Sequence, residues 1–433
     1  MTTPIVDFIR EYNSKKPLRL HTPGHKGKGF SGFYKYDITE CFGADELFSP
    51  RGIIAESEKN ASEIFSTPTY YSAEGSSLCV RAMIYLLAQK SGGKPVIAAA
   101  RNAHKSFLYG AALCGAEVVW LAPHQNDTYT SVTVTAEDAE RVLSENKADA
   151  VFITTPDYLG KTIQLKEISK VCKKHGALLL VDGAHGAYLH FTDDNPYQYA
   201  DIYCTSAHKT LPALTGAAYL HVRCGIPAEE VKAAMSAFAS TSPSYLILAS
   251  LDRLNPYLIN HKKRLSEFIP RVDIIKNTLS DHGFVLYGDE PLKITINAAE
   301  YGYHGRETEK YLVNNNVYPE FADREIITFM LTPETGQSGL DLLCKALCSL
   351  PRKEKMNIRT PAYKLPERAM SIRDAFFSQK ETLPTEKCGG RILSDMSVCC
   401  PPAVCPAVCG EIIAEELIPY LIELGIDKLS VVR

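Results

Sequence analysis

Short apolar runs alternate with longer helix-like stretches from about residue 57 to residue 223, and this alternation limits the possible folds more than any other feature. Because parallel strands need a crossover connection, which is usually a helix, the pattern predicts a mostly parallel sheet with helices on both faces. The fold class is therefore predicted to be α/β. The predicted strands are 95–100, 117–122, 149–155, 177–181, 201–205 and 217–222, and the predicted helices are 76–89, 103–114, 136–145 and 165–175.

The remaining sequence predicts smaller units around this core. A helical stretch to about residue 282 and strand-like runs at 283–287, 292–297 and 326–331 indicate a second, smaller α/β unit. A polar stretch rich in proline and lysine then indicates a linker, and a final helix is expected at 411–424. The predicted units are an N-terminal segment 1–56, a large domain 57–255, a small α/β domain 256–350, a linker 351–367 and a C-terminal unit 368–433.

Composition and charge exclude several classes of protein. Hydrophobic residues make up 45% and charged residues 22% of the 433 residues, which are ordinary globular values and exclude a disordered or coiled-coil chain. The net charge of −3 gives no basic field for nucleic acid or an anionic membrane. No apolar run approaches the roughly 18 residues of a membrane span, and the start lacks the features of a secretory signal. We therefore expect a cytoplasmic protein without nucleic-acid or membrane partners.

The 13 cysteines are expected to be reduced thiols. Most are scattered singly, as small buried apolar side chains would be. The dense group Cys388, Cys399, Cys400, Cys405 and Cys409 is one crowded run interrupted by prolines, and it lacks the two separated ligand pairs of a structural zinc site. Packing is therefore favoured over a metal site, and a redox-sensitive thiol stays open as an alternative.

A lysine follows the predicted strand 201–205, in the segment Thr-Ser-Ala-His-Lys-Thr-Leu-Pro at 205–212. In open α/β sheets, ligands bind at the carboxyl ends of the strands. A lysine there can form a Schiff base when neighbouring cations or burial favour its free amine. Lys209 is therefore a candidate nucleophile, although a surface loop lysine would give the same pattern.

Asp182 ends the apolar strand that precedes this lysine by one strand. A carboxylate at the end of a buried strand needs a cation or a hydrogen-bond donor. The protonated ring nitrogen of pyridoxal phosphate is one such partner, and a carboxylate beside it keeps it protonated. A helix cap or a salt bridge remains an equal alternative for Asp182 alone.

Two further segments carry weaker signals. Gly75, Ser76 and Ser77 open a predicted helix and offer backbone N–H groups and hydroxyls to a phosphate, although a serine there is more often a helix cap. His104 follows the strand 95–100 and presents an imidazole at the same sheet edge, although such a histidine is more often structural.

Taken together, the phosphate turn, the loop histidine, the strand-end aspartate and the strand-end lysine have the order seen in fold-type I pyridoxal-phosphate enzymes. The whole chain resembles the ornithine/lysine/arginine decarboxylase family, in its short form without an amino-terminal wing domain. The motifs that carry the resemblance are HTPGHKG at 21–27, DITE at 37–40, GADEL at 43–47, SAHK at 206–209, TSPSY at 241–245, PLK at 291–293 and CGE at 409–411.

The resemblance implies an aspartate-aminotransferase-like fold of type I: a large, mostly parallel sheet of the seven-stranded type, a smaller α/β domain and a short C-terminal unit. It implies that pyridoxal phosphate is the cofactor and that the protein is a homodimer or a higher homo-oligomer. The implied cofactor contacts are a Schiff base from Lys209, a ring-nitrogen partner in Asp182, a stacking ring in His104, packing by Ala184, and phosphate contacts from Gly75, Ser76, Ser77, Ser206, His208 and, across a dimer interface, Ser242.

The implied reaction is decarboxylation of a small-molecule substrate, the basic amino acid lysine, arginine or ornithine, with Lys209 as the catalytic lysine and His208 or His185 assisting proton transfer. His185 is also expected near the substrate. The acidic candidates for the substrate's cationic end are Asp37, Glu40, Glu46 and Glu411, and the last is the one assigned to substrate binding.

The run 399–411 departs from the family pattern because cysteines replace aromatic and aliphatic positions, and Glu74 is a charged residue where relatives tend to have an uncharged one. The alternatives are therefore an aminotransferase, with Arg373 or Arg391 gripping the substrate carboxylate, a β-eliminating lyase, or an inactive regulatory paralogue. The sequence leaves the physiological role open between polyamine biosynthesis and acid consumption.

Overall fold

The computed structural model describes residues 1–28, 31–124, 127–358, 363–398 and 404–433. Its helices are α1 Pro4–Ser14, α2 Ile53–Ile64, α3 Gly75–Lys90, α4 Lys105–Cys114, α5 Ala136–Asn146, α6 Leu165–His175, α7 Ala207–Thr210, α8 Ala228–Ser236, α9 Tyr245–Leu258, α10 His261–Asp281, α11 Gly305–Val313, α12 Gly336–Cys348, α13 Ile372–Phe377 and α14 Ile418–Glu423. Its strands are β1 Thr69–Ser72, β2 Val96–Ala99, β3 Glu117–Trp120, β4 Ala150–Thr154, β5 Leu178–Asp182, β6 Ile202–Thr205, β7 Ala218–Val222, β8 Val285–Tyr287, β9 Lys293–Asn297, β10 Phe321–Ala322, β11 Ile326–Met330, β12 Lys380–Pro384 and β13 Lys428–Val432.

The large sheet has seven strands within these described residues, in the order β1-β7-β6-β5-β4-β2-β3. Strand β7 is antiparallel to both of its neighbours, and the other pairings are parallel. The predicted α/β fold class is therefore confirmed. Strand β1 was not predicted, because its four residues Thr-Tyr-Tyr-Ser lack the apolar run that marks the other strands.

Helices cover both faces of this sheet, as the near-continuous apolar strands require. Along β4, Phe152 packs with the α3 and α4 side, whereas Ile153 belongs to the core on the α5 and α6 side. Residues of β5 alternate in the same way. Because β4, β5 and β6 are parallel and in register, their carboxyl ends, including Thr154, Asp182 and Cys204, meet at one edge.

The second unit contains an antiparallel sheet in the order β10-β11-β9-β8, to which the three predicted strands contribute β8, β9 and β11. In the C-terminal part, β12 pairs with β13. The predicted helix at 411–424 is wrong at its start. Glu411 and Ile412 form bridges with Arg368 and Ile392, so the α-helix begins at Ile418. Within the described ranges, no helix combines the length and apolar character needed to cross a membrane.

Candidate active site

A cavity of about 280 Å³ opens at the carboxyl ends of β4, β5 and β6. This is the sheet edge at which ligands bind in open α/β folds. A larger cavity, of about 1030 Å³, lies elsewhere, between α2 and α8, and contains none of the predicted site residues. The cavity at the sheet edge is lined by Glu74, Gly75, Ser76, Ser77, Asn102, His104, Thr154, Tyr158, Asp182, Ala184, His185, Ser206, His208, Lys209, Thr215 and Gly216.

Lys209 and His185 face each other in this cavity. Lys209 lies on the short helix α7, directly after β6, and its Nζ is 2.9 Å from Nε2 of His185. Burial lowers the pKa of His185 well below its usual value, and the nearby amines of Lys293 and Lys209 lower it further. His185 is therefore a neutral imidazole at neutral pH, with one ring nitrogen available to exchange a hydrogen bond with the lysine.

Asp182 ends β5 and is 3% exposed. Its Oδ1 accepts hydrogen bonds from the Ala184 N–H, at 3.1 Å, and from the Cys204 thiol, at 3.6 Å. Burial, followed by the charge of Asp182, raises the pKa of Cys204 well above its usual value, so the thiol stays protonated and donates. The other carboxylate oxygen has no hydrogen-bond partner among the described residues, and it can therefore receive a donor from a ligand in the cavity.

The turn before α3 is built for an anion. Gly75 adopts a φ of +71°, which favours glycine, and its N–H donates to the Gly216 carbonyl at 2.7 Å. The first N–H groups of a helix have no acceptor within the helix, and the helix dipole makes this end positive. The Ser206 hydroxyl donates to Oγ of Ser76 at 3.0 Å, so hydroxyls from α3 and from the β6 end meet here. Ser77 lies beside them in the cavity wall.

Two histidines have defined ring orientations at the same cavity. Nδ1 of His208 donates to the Ala217 carbonyl at 2.8 Å, which leaves Nε2 as the acceptor of the neutral ring. Nδ1 of His104 accepts from the Ser106 N–H at 3.2 Å, so its ring hydrogen is on Nε2. Burial lowers the pKa of both histidines. The structure thus places His104 and His208 in the wall of the cavity that also contains Lys209 and Asp182.

The cavity also contains residues that sequence reasoning missed. Oδ1 of Asn102 and Oγ1 of Thr154 are buried and have no hydrogen-bond partner within the described residues. The ring of Tyr158 packs edge-on against His185, with ring centroids 5.2 Å apart. Asn102 and Thr154 lie at the carboxyl ends of β2 and β4, so the strand-end argument applied to Asp182 would have found them.

Glu411, expected to bind substrate, is placed elsewhere. Its two carboxylate oxygens accept hydrogen bonds from the Arg101 guanidinium at 2.7 and 2.6 Å, and both side chains are about 2% exposed or less. Glu411 does not line the cavity, and the structure corrects that assignment because a bidentate buried ion pair leaves the carboxylate no free face. It instead joins the C-terminal unit to the loop after β2.

The other predicted residues outside the cavity are less tightly held. Ser242 is exposed in the loop before α9 and does not line this chain's cavity, so its implied contact across a dimer interface stays a prediction. Asp37 contacts His25 at 3.1 Å, and neither it nor Glu40 or Glu46 lines the cavity. Cys405 and Cys409 are buried, and Cys399 and Cys400 lie outside the described residues.

A sheet with this strand order, with a lysine after one strand facing a cavity that also holds a strand-end aspartate, defines the class of fold-type I pyridoxal-phosphate enzymes. The structure of serine palmitoyltransferase from Sphingomonas wittichii is similar, with a TM-score of 0.55 and 17% identity, covering 68% of this chain and 75% of that chain. The similarity to the constitutive lysine decarboxylase of E. coli is greater, with a TM-score of 0.78 and 18% identity, covering 100% of this chain and 82% of that chain.

Residues 3–285 match the family described as "Orn/Lys/Arg decarboxylase, major domain", and the chain belongs to this family. A full-length relative is the arginine decarboxylase of Bacillus subtilis (strain 168). It is 29% identical over 459 residues, which cover 97% of this chain and 93% of the relative. The resemblance inferred from the motifs is thereby confirmed.

Proposed function

We propose that this protein is a pyridoxal-phosphate-dependent decarboxylase that converts a basic amino acid, lysine, arginine or ornithine, to the corresponding amine and carbon dioxide. The observation that carries the proposal is the contact of Lys209 with His185 in a cavity that also contains Asp182 and the start of α3. Arginine is the first substrate to test, because the Bacillus subtilis relative is named an arginine decarboxylase.

The donor set of the cavity fits pyridoxal phosphate. Lys209 offers an amine to its aldehyde, and Asp182 offers one free carboxylate oxygen to its ring nitrogen. The start of α3, with Ser76, Ser77 and Ser206, offers N–H and hydroxyl groups to its phosphate. The unpaired Oδ1 of Asn102 and Oγ1 of Thr154 leave further polar atoms for a ligand. When bound, the cofactor withdraws the electron pair that the leaving carboxylate leaves behind.

The protein groups around the cofactor would orient it and move protons. Asp182 would hold the proton of the ring nitrogen, and His104 would support the ring face as a neutral imidazole. His185 would exchange a proton with Nζ of Lys209 through Nε2, and Nε2 of His208 is the second group able to accept one. Ala184, directly after the Asp182-Gly183 turn, provides an apolar surface within the same wall.

The alternatives receive less support. An aminotransferase would need an arginine for the substrate carboxylate, but Arg373 donates to the Ala112 carbonyl and Arg391 pairs with Glu381, outside the cavity. An inactive paralogue would have no need for the Lys209, His185 and Asp182 arrangement.

We also propose a homodimer, which would cover the exposed apolar side chains of Leu18, Leu20 and Phe42 in the N-terminal segment.

The test is mass spectrometry of the purified protein incubated with pyridoxal phosphate and lysine, arginine and ornithine in separate reactions. We expect one of the three to yield its amine. Lys209→Ala should abolish the product, whereas Lys170→Ala, on the exposed face of α6, should not change it. Formation of a keto acid in place of an amine would contradict decarboxylation, and so would the absence of any amine from a protein that has bound the cofactor.

A further inference from the structure

His185 is the centre of a line of three nitrogen-bearing groups that runs from the large sheet into the second unit. Its Nε2 is 2.9 Å from Nζ of Lys209, and its Nδ1 is 3.4 Å from Nζ of Lys293. Lys293 is the first residue of β9 and is 4% exposed. It is the lysine of the PLK motif, to which the sequence analysis gave no role. A buried lysine, Lys293, thus contacts the histidine that contacts the proposed catalytic lysine.

The loop after β4 closes around the Lys293 side chain. Nζ is 3.1 Å from the carbonyl oxygens of Asp157 and of Tyr158. Gly160 has a φ of +93°, and a Cβ there would come within 3.2 Å of Cδ of Lys293. The stem of this lysine is therefore confined, and its amino group is directed at His185 rather than at solvent.

The number of hydrogens on Lys293 decides the state of His185. Carbonyl oxygens can only accept, so two hydrogens of Lys293 go to Asp157 and Tyr158. An ammonium has a third hydrogen, which it can donate to Nδ1 of His185. A neutral amine has only its lone pair left, which would have to accept a hydrogen from Nδ1.

The state of His185 in turn constrains Lys209. If Nδ1 accepts from a charged Lys293, the single hydrogen of the neutral ring is on Nε2 and points to Lys209, which must then be a free amine. If Lys293 is neutral, Nδ1 carries the hydrogen and Nε2 accepts from Lys209. The two states differ by transfer of one proton from Nζ of Lys209 to Nε2, with the Nδ1 proton passing to Nζ of Lys293. In this exchange, the positive charge moves from Lys209 to Lys293.

Three carboxyl groups, those of Glu290, Asp157 and Glu320, stabilise the charged form of Lys293. They oppose burial, which is the largest influence and lowers the pKa of Lys293, and the charge of Lys209, which lowers it further. At the other end of the line, Asp182 is a carboxylate that lines the same cavity as Lys209. The titratable groups that face Lys293 are Glu290, Asp157, Glu320, Lys209 and His185, and those that face His185 are Lys209, Lys293, His104 and His208.

We propose that Lys293 is a positioning residue that holds, through His185, the proton taken from Lys209, so that Lys209 remains a free amine able to react with the cofactor's aldehyde. This inference rests on the proposed function. It makes a residue of the second unit responsible for the protonation state of a residue at the edge of the large sheet.

The experiment measures how fast the full-length protein, freed of cofactor, forms its adduct with pyridoxal phosphate at a series of pH values. Absorbance gives the rate, and borohydride reduction followed by peptide mass spectrometry locates the adduct on Lys209. Only the free amine is a nucleophile, so the midpoint of the pH profile reports the protonation of Lys209. Lys293→Met and Lys293→Gln should raise this midpoint by about one pH unit, which is about a tenfold lower rate below the midpoint.

Lys293→Arg is the matched control, because it keeps the charge and the donors, and its midpoint should stay near that of the unchanged protein. In a His185→Phe background, Lys293→Met should shift the midpoint by less than half as much. Circular dichroism identifies the folded variants, and Lys293→Gln, which can still donate to the two carbonyls, covers the case in which the methionine variant does not fold. Unshifted midpoints, or equal shifts for Lys293→Met, Lys293→Gln and Lys293→Arg, would overturn this inference and leave the proposed function standing. If the protein with unchanged Lys209 formed no adduct at that residue, both the inference and the proposed function would be overturned.

Discussion

Replacing Glu411 with alanine should remove a large part of the protein's folding free energy. Glu411 and Arg101 form a bidentate ion pair, and their side chains are 2% and 1% exposed. The guanidinium also donates to the Cys405 carbonyl at 3.0 Å and lies over the Trp120 ring. The second oxygen of Glu411 accepts the Val408 N–H at 2.8 Å. The carboxylate therefore satisfies one buried cation and one buried amide.

The expected loss follows from what remains after the substitution. A buried guanidinium without its counter-ion costs about 3–5 kcal/mol. An amide left without its acceptor adds about 1 kcal/mol. The sum of about 4–6 kcal/mol is comparable with the whole folding free energy of many domains, about 5–15 kcal/mol. Glu411→Ala should thus be folded marginally at room temperature.

Urea denaturation followed by circular dichroism measures the change, and the chain offers a matched control. Glu381 pairs with Arg391 at a site where both side chains are 36% exposed, so Glu381→Ala should cost about 0–1 kcal/mol. The double variant Arg101→Met with Glu411→Met should lose less stability than Glu411→Ala, because no charge is then left buried. Equal losses for Glu411→Ala and Glu381→Ala would refute the argument that burial sets the magnitude.

Three further predictions concern the core and the cavity. Burial lowers the pKa of His261 to about 4, below its unfolded value of about 6.5. The contribution of the neutral His261 to the free energy of unfolding is therefore fully present above pH 6.5. It is lost as the pH falls toward 4, and the loss amounts to about 3 kcal/mol. Both ring nitrogens of His261 lack a partner within the described residues, so His261→Phe should reduce the difference in melting temperature between pH 8 and pH 5. His221→Phe removes hydrogen bonds to two threonines and should lower the melting temperature at both pH values. An unchanged pH difference in His261→Phe would contradict the assignment. Gly75→Ala should lower the free energy of unfolding by about 1 kcal/mol and weaken pyridoxal-phosphate binding, which fluorescence titration measures. Gly92 has a similar φ of +69° with open space around it, so Gly92→Ala should lose the same stability and leave binding unchanged. Equal affinities of the two variants would exclude Gly75 from the site. Asp182→Asn should reduce decarboxylation by roughly a hundredfold, since an amide cannot stabilise the ring-nitrogen cation, and a rate within threefold of the unchanged protein would remove Asp182 from the mechanism.

Much of the large domain could be predicted from local patterns. The apolar run before Asp182 predicts a strand, and β5 indeed ends at Asp182. The amphipathic stretch 165–175 predicts α6 with the bounds that the structure has. These elements are regular because apolar periodicity and turn residues agree there. Strand β1 and the start of the predicted C-terminal helix were not predicted correctly, because their conformations depend on pairing with distant strands and bridges rather than on their own residues.

The candidate site was predicted to a similar extent, and for a related reason. Lys209, Asp182 and His104 each follow a strand of one sheet, so knowing the strands is enough to bring them to one edge. Glu411 was misplaced because its partner, Arg101, is 310 residues away in sequence, and no local pattern reveals such a pair. The sequence motif suggested that the Glu411 carboxylate binds the substrate's cationic end, whereas it binds the guanidinium of Arg101.

The two contacts that the sequence did not reveal, Arg101 with Glu411 and His185 with Lys293, both join residues near the cavity to units outside the large sheet. Arg101 precedes Asn102 and His104 in one loop at the sheet edge, and Glu411 of the C-terminal unit fixes that loop. Lys293 of the second unit contacts His185. A large domain alone would keep the cavity residues but would lose both of these contacts. The sheet therefore brings the reactive groups to one edge. The other units fix the loop that carries His104 and the hydrogen-bonding state of His185. Substitutions at these contacts should therefore alter the rate of the reaction as well as the stability of the fold.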